Sequence, residues 1–344
     1  MTITVIIPTY RRAHYLRYAI KSIVSQKYSD FELYIYDNAS GDGTELVVQE
    51  FMKKDSRIHY YCHQENIGMI KNYVFGISQV KTPFFCFLSD DDILLPSFFE
   101  TALKGFEAHP DIAFSATSTI LISSEQKQIV TIPLEEWEKE GYFQYGEGVS
   151  YMIGRFPVPT SILFSQKVIS LIEIDQENPL YWDCDFLMHI AAQFPFFISK
   201  DICALFRCHR NSYSNSREFE ESRNGLCRLI QRIKIITSLE LNEVKAAEQL
   251  LTKLLIESSR HFFLQYFKNR RYSEQIAIGN YLKDLSAHNR KSGFLFYMVK
   301  VFQKFPYFLF ALNVLALNFG KIFQKRNSSP HKYNDYIKLL LSPE

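Results

Sequence analysis

Phe84–Pro96 reads FFCFLSDDDILLP. Phe84, Phe85, Cys86, Phe87 and Leu88 form an apolar, β-prone run that stops at Ser89, Asp90, Asp91 and Asp92. Such a run between turn signals predicts a buried strand of a parallel sheet. In open α/β sheets ligands bind at the C-terminal ends of strands, which is where the three aspartates fall. Adjacent carboxylates repel one another unless something positive sits among them. Hard oxygen donors suit Mg²⁺ or Mn²⁺, and Mg²⁺ typically takes one or two carboxylates together with substrate phosphates. The competing reading is a solvated acidic turn ahead of a helix, with Ser97 and Glu100 forming a capping box. The neighbouring segments decide between the two.

Upstream, Thr2–Ile7 is a β-branched run stopped by Pro8 and predicts the first strand. Leu16, Ala19, Ile20, Ile23 and Val24 recur at helical spacing, which predicts an amphipathic helix from Arg12 to Gln26. Phe31–Tyr36 is a second strand ending at Asp37; the turn Asn38–Thr44 then leads into a helix from about Glu45 to Lys54. Arg57–Tyr61 is a third strand, Asn66 lies in the loop to Gly68, and Met69–Val80 is a third helix. This alternation predicts a parallel sheet with helices on both faces. It lines up Pro8, Thr9, Tyr10, Asp37 and Asp90–Asp92 along one crevice. A carboxylate at Asp37 can accept from a nucleobase N–H or a ribose hydroxyl, while the 90–92 aspartates can hold the metal that neutralises a diphosphate. No GxGxxG follows the first strand, which sets a Rossmann dinucleotide site aside.

With 344 residues the chain has room for one large domain and an accessory region. Its 47% hydrophobic and 22% charged content belongs to a folded protein. A formal net charge of +2 gives no electrostatic case for nucleic acid. The six cysteines show no CxxC or zinc spacing, which predicts reduced thiols. The N-terminus enters a strand without a basic-then-apolar leader, so the expected location is cytoplasmic.

VIIPTYRR, YIYDNASGDGT, ENIGMIKN and FLSDDDILLP together resemble the ordered motifs of the family 2 glycosyltransferases, closely over about the first 110 residues and more loosely to about 215. The resemblance implies the GT-A fold, inverting transfer from a nucleotide-diphosphate sugar, and Mn²⁺ or Mg²⁺ as cofactor. It implies nucleotide contacts from Pro8, Thr9, Tyr10, Arg11, Asp37, Asn66, Lys71 and Asp90. Ser89 stands where the first aspartate of the family's DxD motif usually falls, which makes Asp90 the ribose contact and Asp91 the metal ligand, with Asp92 beside it. Lys71 can equally be a solvated helix charge.

Further along, Ile112–Ile122 and Gln128–Ile132 read as a hairpin, and Glu135–Gly148 as a loop over the cleft. Pro157–Ser161 precedes a short strand, Ile162–Phe164, on what the family uses as its acceptor side. Asp183 and Asp185 open a helix marked by Phe186, Leu187, Ile190, Ala191 and Phe194, a routine N-terminal position for Asp. The resemblance implies that Asp183 is the catalytic base, with Asp185 the runner-up and Trp182 in place of the usual preceding acid. Ile198–Phe206 is another strand, followed by Arg207 and His209. The family's R-x-H segment implies a diphosphate or acceptor contact for Arg207 and a metal contact for His209; a purely structural role is the alternative.

Beyond about residue 217 the pattern is helical throughout: Arg217–Leu239, Glu243–Phe267 and Ser273–His288. Residues 1–216 thus form the expected catalytic domain, divided near 110 into nucleotide and acceptor halves, and 217–344 a helical region. From Arg290 to Asn334 there is no Asp or Glu, and Lys304–Lys321 encloses an aromatic stretch too short, at roughly 24 Å as a helix, to span a bilayer. A peripheral contact with the inner face of a bacterial plasma membrane is one reading; a helical bundle or homo-oligomer interface is the other. The expected function is an inverting, metal-dependent glycosyltransferase acting on a glycan or lipid-linked glycan for surface polysaccharide, with a UDP- or dTDP-sugar donor. The competitors are a nucleotide-sugar-binding scaffold without transfer and a sugar-nucleotide pyrophosphorylase, whose glycine-rich basic loop is missing after the first strand.

Overall fold

The computed structural model describes residues 1–123, 137–171, 174–209 and 218–268, and positions 271, 274, 277, 278 and 281. The sheet is built around β1 (Ile3–Thr9), every residue of which is buried. β2 (Phe31–Asp37) and β4 (Phe84–Phe87) flank β1 in parallel, and β3 (Ile58–Cys62) lies parallel beyond β2. β1 runs through Pro8 rather than stopping there. Ile6 O accepts from Leu88 N, so Pro8, two residues on along the same edge, falls where β4 has already ended and no ladder N–H is required.

Side-chain alternation in β1 divides the interior. Ile3, Val5 and Ile7 pack with Leu16, Ala19, Ile20 and Ile23 of α1 (Ala13–Val24) and Phe98, Phe99 and Ala102 of α4 (Phe98–Ala108). Val48 of α2 (Thr44–Met52) belongs to the same cluster. Ile6 faces the other way, toward α3 (Met69–Ser78). A Cβ on Gly76 of α3 would lie 2.7 Å from Ile6 Cγ2 and 3.0 Å from the Tyr36 ring, so that helix seats closer to the sheet than any other residue would allow.

After β4 the sheet becomes mixed. β8 (Ile162–Ser165) pairs antiparallel with β4, and β6 (Phe114–Ser123) antiparallel with β8. β9 (Phe196–Cys208) runs parallel to β6, while β5 (Ile93–Leu94) and β7 (Gly141–Phe143) pair antiparallel with it. Among the described residues the order is β3-β2-β1-β4-β8-β6-β9-β5, with β7 also on β9. The expected α/β fold with helices on both faces is therefore present, its parallel character concentrated in the N-terminal half.

β6 pairs with β8 through Phe114–Ala116 and with β9 along Ser115–Ser123, while the second arm of the expected hairpin, Gln128–Ile132, lies outside the described residues. Ser97 makes no side-chain cap: its backbone is already near-helical (φ −94°, ψ 1°) where a capping side chain needs an extended one, and its hydroxyl sits 3.9 Å from Cys203 Sγ. The helices α7 (Phe219–Ile233) and α8 (Leu241–Lys268) share one core with the sheet, since Leu226, Leu229, Ala247 and Leu251 cluster with Phe85, Phe87 and Trp182. A boundary at 216 thus marks a change from mixed to all-helical structure, not a second core. The expected helix Ser273–His288 lies largely, and the basic stretch 290–334 wholly, outside the described residues.

Candidate active site

Sheet order β2-β1-β4 puts three strand ends side by side. Thr9 Oγ1 donates to Asp90 Oδ2 at 2.8 Å, and the Tyr10 amide approaches the same oxygen at 3.4 Å. Arg12, just past β1, sends Nη1 to Asp90 Oδ1 (3.0 Å) and Asp91 Oδ2 (2.9 Å). Beyond the acidic turn, β5 pairs with β9, and this carries the end of β9 back to the aspartates. Arg207 donates Nε to Asp91 O (2.8 Å) and its amide to Asp92 Oδ1 (2.9 Å); His209 Nε2 lies 2.9 Å from Asp91 Oδ2. Tyr15 of α1 stacks on His209 with ring centroids 4.8 Å apart, and the Arg207 guanidinium stands 5.1 Å over the same ring.

The three aspartates therefore have different tasks. Asp92, expected beside Asp91 as a metal ligand, turns inward: Thr160 Oγ1 donates to Oδ2 at 2.6 Å and the Arg207 amide to Oδ1, so both oxygens are engaged in joining the turn to its neighbours. Arg207, expected to meet diphosphate or acceptor, is only 5% exposed and braces the turn, with Nη2 lacking a hydrogen-bond partner among the described residues. Asp90 and Asp91 face Arg12 and His209. Of these contacts Arg12 and Thr160 were not anticipated. The signal for Arg12 was the charge requirement itself, three carboxylates needing a cation, which the sequence satisfied equally well with a metal.

The second strand end is also self-braced. Asp37 is buried, accepting from Tyr60 OH at 2.6 Å and Ser40 N at 2.9 Å. Ser40 Oγ accepts from the Arg11 amide (2.8 Å) and Ser40 O from Arg11 Nε (3.1 Å), which ties the β1 loop to the β2 loop. Arg11 (φ 54°) and Ala39 (φ 59°) both occupy left-handed backbone there, a strained conformation for residues with side chains. Asn66 Oδ1 accepts from Asn38 Nδ2 (2.8 Å) and Gly68 N (2.9 Å), shaping the loop before α3. Lys71 is exposed on α3, with no ion pair among the described residues.

At the start of α6 (Trp182–Ala191), Trp182 packs on Tyr73 at 4.8 Å and on Phe87 at 6.2 Å. Phe87 lies in β4, three residues before Asp90, so this aromatic contact brings the N-terminus of α6 to the acidic end of the sheet. Asp183 is half-buried, Oδ1 accepting from the Cys184 amide at 2.9 Å, and burial holds its carboxyl above the usual carboxylate range. Asp185 is fully buried and spoken for: Arg232 Nε of α7 donates to Oδ2 at 2.7 Å. Of the two aspartates only Asp183 stays partly open to solvent.

The donor set suits a divalent ion. Cis ligands around an octahedral Mg²⁺-sized ion lie about 3 Å apart, close to the spacing of Asp91 Oδ2 and His209 Nε2. The Arg12 guanidinium between Asp90 and Asp91 occupies the place of a cation. Among the described residues no group of three or more His, Cys, Asp or Glu is arranged to hold a metal ion by itself, so the protein would supply few ligands and leave the others to water and phosphate.

Residues 4–172 match the family model described as glycosyl transferase family 2. This region belongs to glycosyl transferase family 2. A Campylobacter jejuni GalNAc(5)-diNAcBac-PP-undecaprenol beta-1,3-glucosyltransferase is 39% identical over 103 residues, 30% of this chain and 33% of that protein. The chain thus spans about a third of that relative. The fold resembles Staphylococcus aureus TarS, residues 1–349, in complex with UDP-GlcNAc: TM-score 0.61 and 16% identity over 82% of this chain and 81% of that one. It also resembles the Pyrobaculum calidifontis mannosyltransferase PcManGT in complex with GDP-Man and Mn²⁺, with TM-score 0.52 and 12% identity over 86% and 83% of the two chains. The family 2 match includes Asp37, Asp90, Asp91 and Thr160 and ends before Asp183, Arg207 and His209.

Within the family 2 region, burial beside Asp91, against the pull of Arg12, raises the Asp90 carboxyl from 3.8 to about 6. Between about pH 4 and 6 the folded, metal-free protein then binds more protons at Asp90 than the unfolded chain does, so this group's contribution to stability falls as pH rises. Asp90→Asn is expected to gain stability relative to wild type across that window, measured as the difference in Tm in the presence of a chelator. A difference that stays constant or narrows with pH would show that Asp90 ionises as an ordinary carboxylate. A described cavity of about 440 Å³ lies elsewhere, between the loop before α6 and α7, lined by Asn178, Leu180, Gly225 and Cys227 among others; none of the strand-end carboxylates reaches it.

Proposed function

We propose that the protein is an inverting, metal-dependent glycosyltransferase that moves a sugar from a nucleotide-diphosphate donor to a glycan or lipid-linked glycan acceptor in polysaccharide synthesis. The observation that carries this reading is the meeting of Asp90, Asp91 and His209 at the strand ends of a family 2 domain, with Asp183 opening a helix at the same end of the sheet. The glycosidic linkage to an undecaprenol-linked glycan in the Campylobacter relative's name supports a lipid-linked acceptor. The UDP-GlcNAc bound by TarS supports a UDP-type donor, and the Mn²⁺ in PcManGT supports a divalent ion.

In this reading the acceptor hydroxyl attacks the anomeric carbon on the face opposite the diphosphate, and Asp183 takes its proton. The bond from that carbon to the diphosphate oxygen breaks as the new glycosidic bond forms, which inverts the centre in a single displacement. Asp91 and His209 would hold the divalent ion, whose positive charge stabilises the departing diphosphate. Thr9 and the Tyr10 amide keep Asp90 oriented for the ribose. Asp37, Asn66 and the strained Arg11 turn form the wall on which the base rests. Among the described residues no helix is long and apolar enough to cross a membrane; contact of 290–334 with an anionic membrane surface remains part of the proposal.

UDP, dTDP and GDP, each tested with and without Mn²⁺, are expected to include at least one that raises Tm only when Mn²⁺ is present. At 100 times Kd the stabilisation is about 2.7 kcal/mol. Asp91→Ala should remove the Mn²⁺-dependent part. An equal Mn²⁺-dependent rise in the variant would take the metal away from Asp91.

A further inference from the structure

Arg12 is a cation seated where the metal is needed. Its Nη1 bridges Asp90 Oδ1 at 3.0 Å and Asp91 Oδ2 at 2.9 Å, and the Asp91 oxygen it holds is the one that faces His209 Nε2. A divalent ion on Asp91 and His209 must use that same oxygen. The two carboxylates are about nine-tenths buried, whereas the Arg12 side chain is 29% exposed, so the guanidinium has an outlet that the aspartates lack. Arg207 cannot take its place, being enclosed and already tied to Asp91 O.

From this geometry we infer that Arg12 is an exchangeable counter-cation: it neutralises the Asp90–Asp91 pair while no metal is bound and surrenders Asp91 when a divalent ion arrives. The inference deepens the metal-dependent reading above and rests on it. Without Arg12 the buried pair would carry its charge uncompensated, which strongly destabilises an interior. With Arg12 fixed in place, a metal would meet a guanidinium within contact distance of its own ligand, and the two like charges would repel. Exchange avoids both situations. It also makes metal alone a poor ligand, because the ion must first displace an internal competitor. A metal arriving with a diphosphate offers the displaced guanidinium a new anionic partner, so ion and donor enter together.

The test uses the full chain and Mn²⁺ alone. In chelator, Arg12→Met should have a lower Tm than wild type, and saturating Mn²⁺ should close most of that gap. By electron paramagnetic resonance titration of free Mn²⁺, the variant should bind the ion roughly tenfold more tightly, the fold-change corresponding to one charge-assisted hydrogen bond no longer competing. Arg12→Lys, which keeps the charge, should resemble wild type in both measurements. A Tm gap that persists undiminished in Mn²⁺, or Mn²⁺ affinity unchanged or weakened in Arg12→Met, would make Arg12 a permanent brace and overturn the exchange. Failure of both wild type and Arg12→Met to bind Mn²⁺, with UDP, dTDP and GDP present as well as without them, would overturn the metal-dependent reading itself, a separate and recognisable result.

Discussion

Asp183→Asn is expected to lower the rate of sugar transfer by a factor of about 10²–10⁴ while leaving Mn²⁺-dependent nucleotide binding near wild type. The amide keeps the size of the side chain and can still accept from the Cys184 amide, as Asp183 Oδ1 does at 2.9 Å, so the start of α6 should stay folded. What is lost is the ability to take a proton from the attacking hydroxyl. Product formation and nucleotide-induced thermal shift, measured on the same preparation, separate the two effects. A near-normal rate would remove Asp183 from the role of base, and Asp185 would not inherit it easily, since Asp185 is fully enclosed and ion-paired. Because burial raises the Asp183 carboxyl, the acid side of the wild-type pH–rate profile should lie above the 3.8 of an unperturbed aspartate. Below that limb the base is protonated and transfer stops.

The second large effect concerns stability. Arg232→Met leaves Asp185 with no guanidinium among the described residues; its Oδ1 already lacks a hydrogen-bond partner among them and stands 3.6 Å from His189 Nε2. Removing one partner of a buried ion pair costs about 3–5 kcal/mol, which lowers Tm by on the order of 10 °C. Adding Asp185→Leu to Arg232→Met removes the stranded charge as well, so the double variant should recover much of the loss. If Arg232→Met alone melts within a degree or two of wild type, water reaches Asp185 and the pair is not the clamp described here. The same helix α7 also sends Arg228 to Asp175, with Nη2 to Oδ1 at 3.0 Å. Two arginines one turn apart thus dock the helical region onto the segment that leads into Asp183, which is why the C-terminal helices cannot be treated as a detachable appendage.

Much of this protein is legible in its residues because the N-terminal half obeys local rules. The apolar runs at Ile3–Ile7, Phe31–Ile35 and Phe84–Leu88, separated by helical periodicities, admit essentially one arrangement, a right-handed parallel βα series, and the polar residues that terminate those runs are carried to one edge. The acidic turn, its place at a strand end and the helix position of Asp183 followed from spacing. The antiparallel second half did not, since the pairing of β9 with β6, β5 and β7 joins residues far apart in sequence that no periodicity connects. Ser97 with Glu100 had the right spacing for a capping box and the wrong backbone.

Residue order alone determined which chemistry was on offer: three carboxylates at a strand tip and a carboxylate at a helix start, set among family 2 motifs. Tertiary structure alone decided how the three divide. Asp92 is absorbed by Thr160 and the Arg207 amide, Asp90 and Asp91 are given to Arg12, and His209 is drawn in from 118 residues away. The physical reason is that buried charge must find a partner wherever the chain can bring one, and that search is made in space, without regard to distance along the sequence.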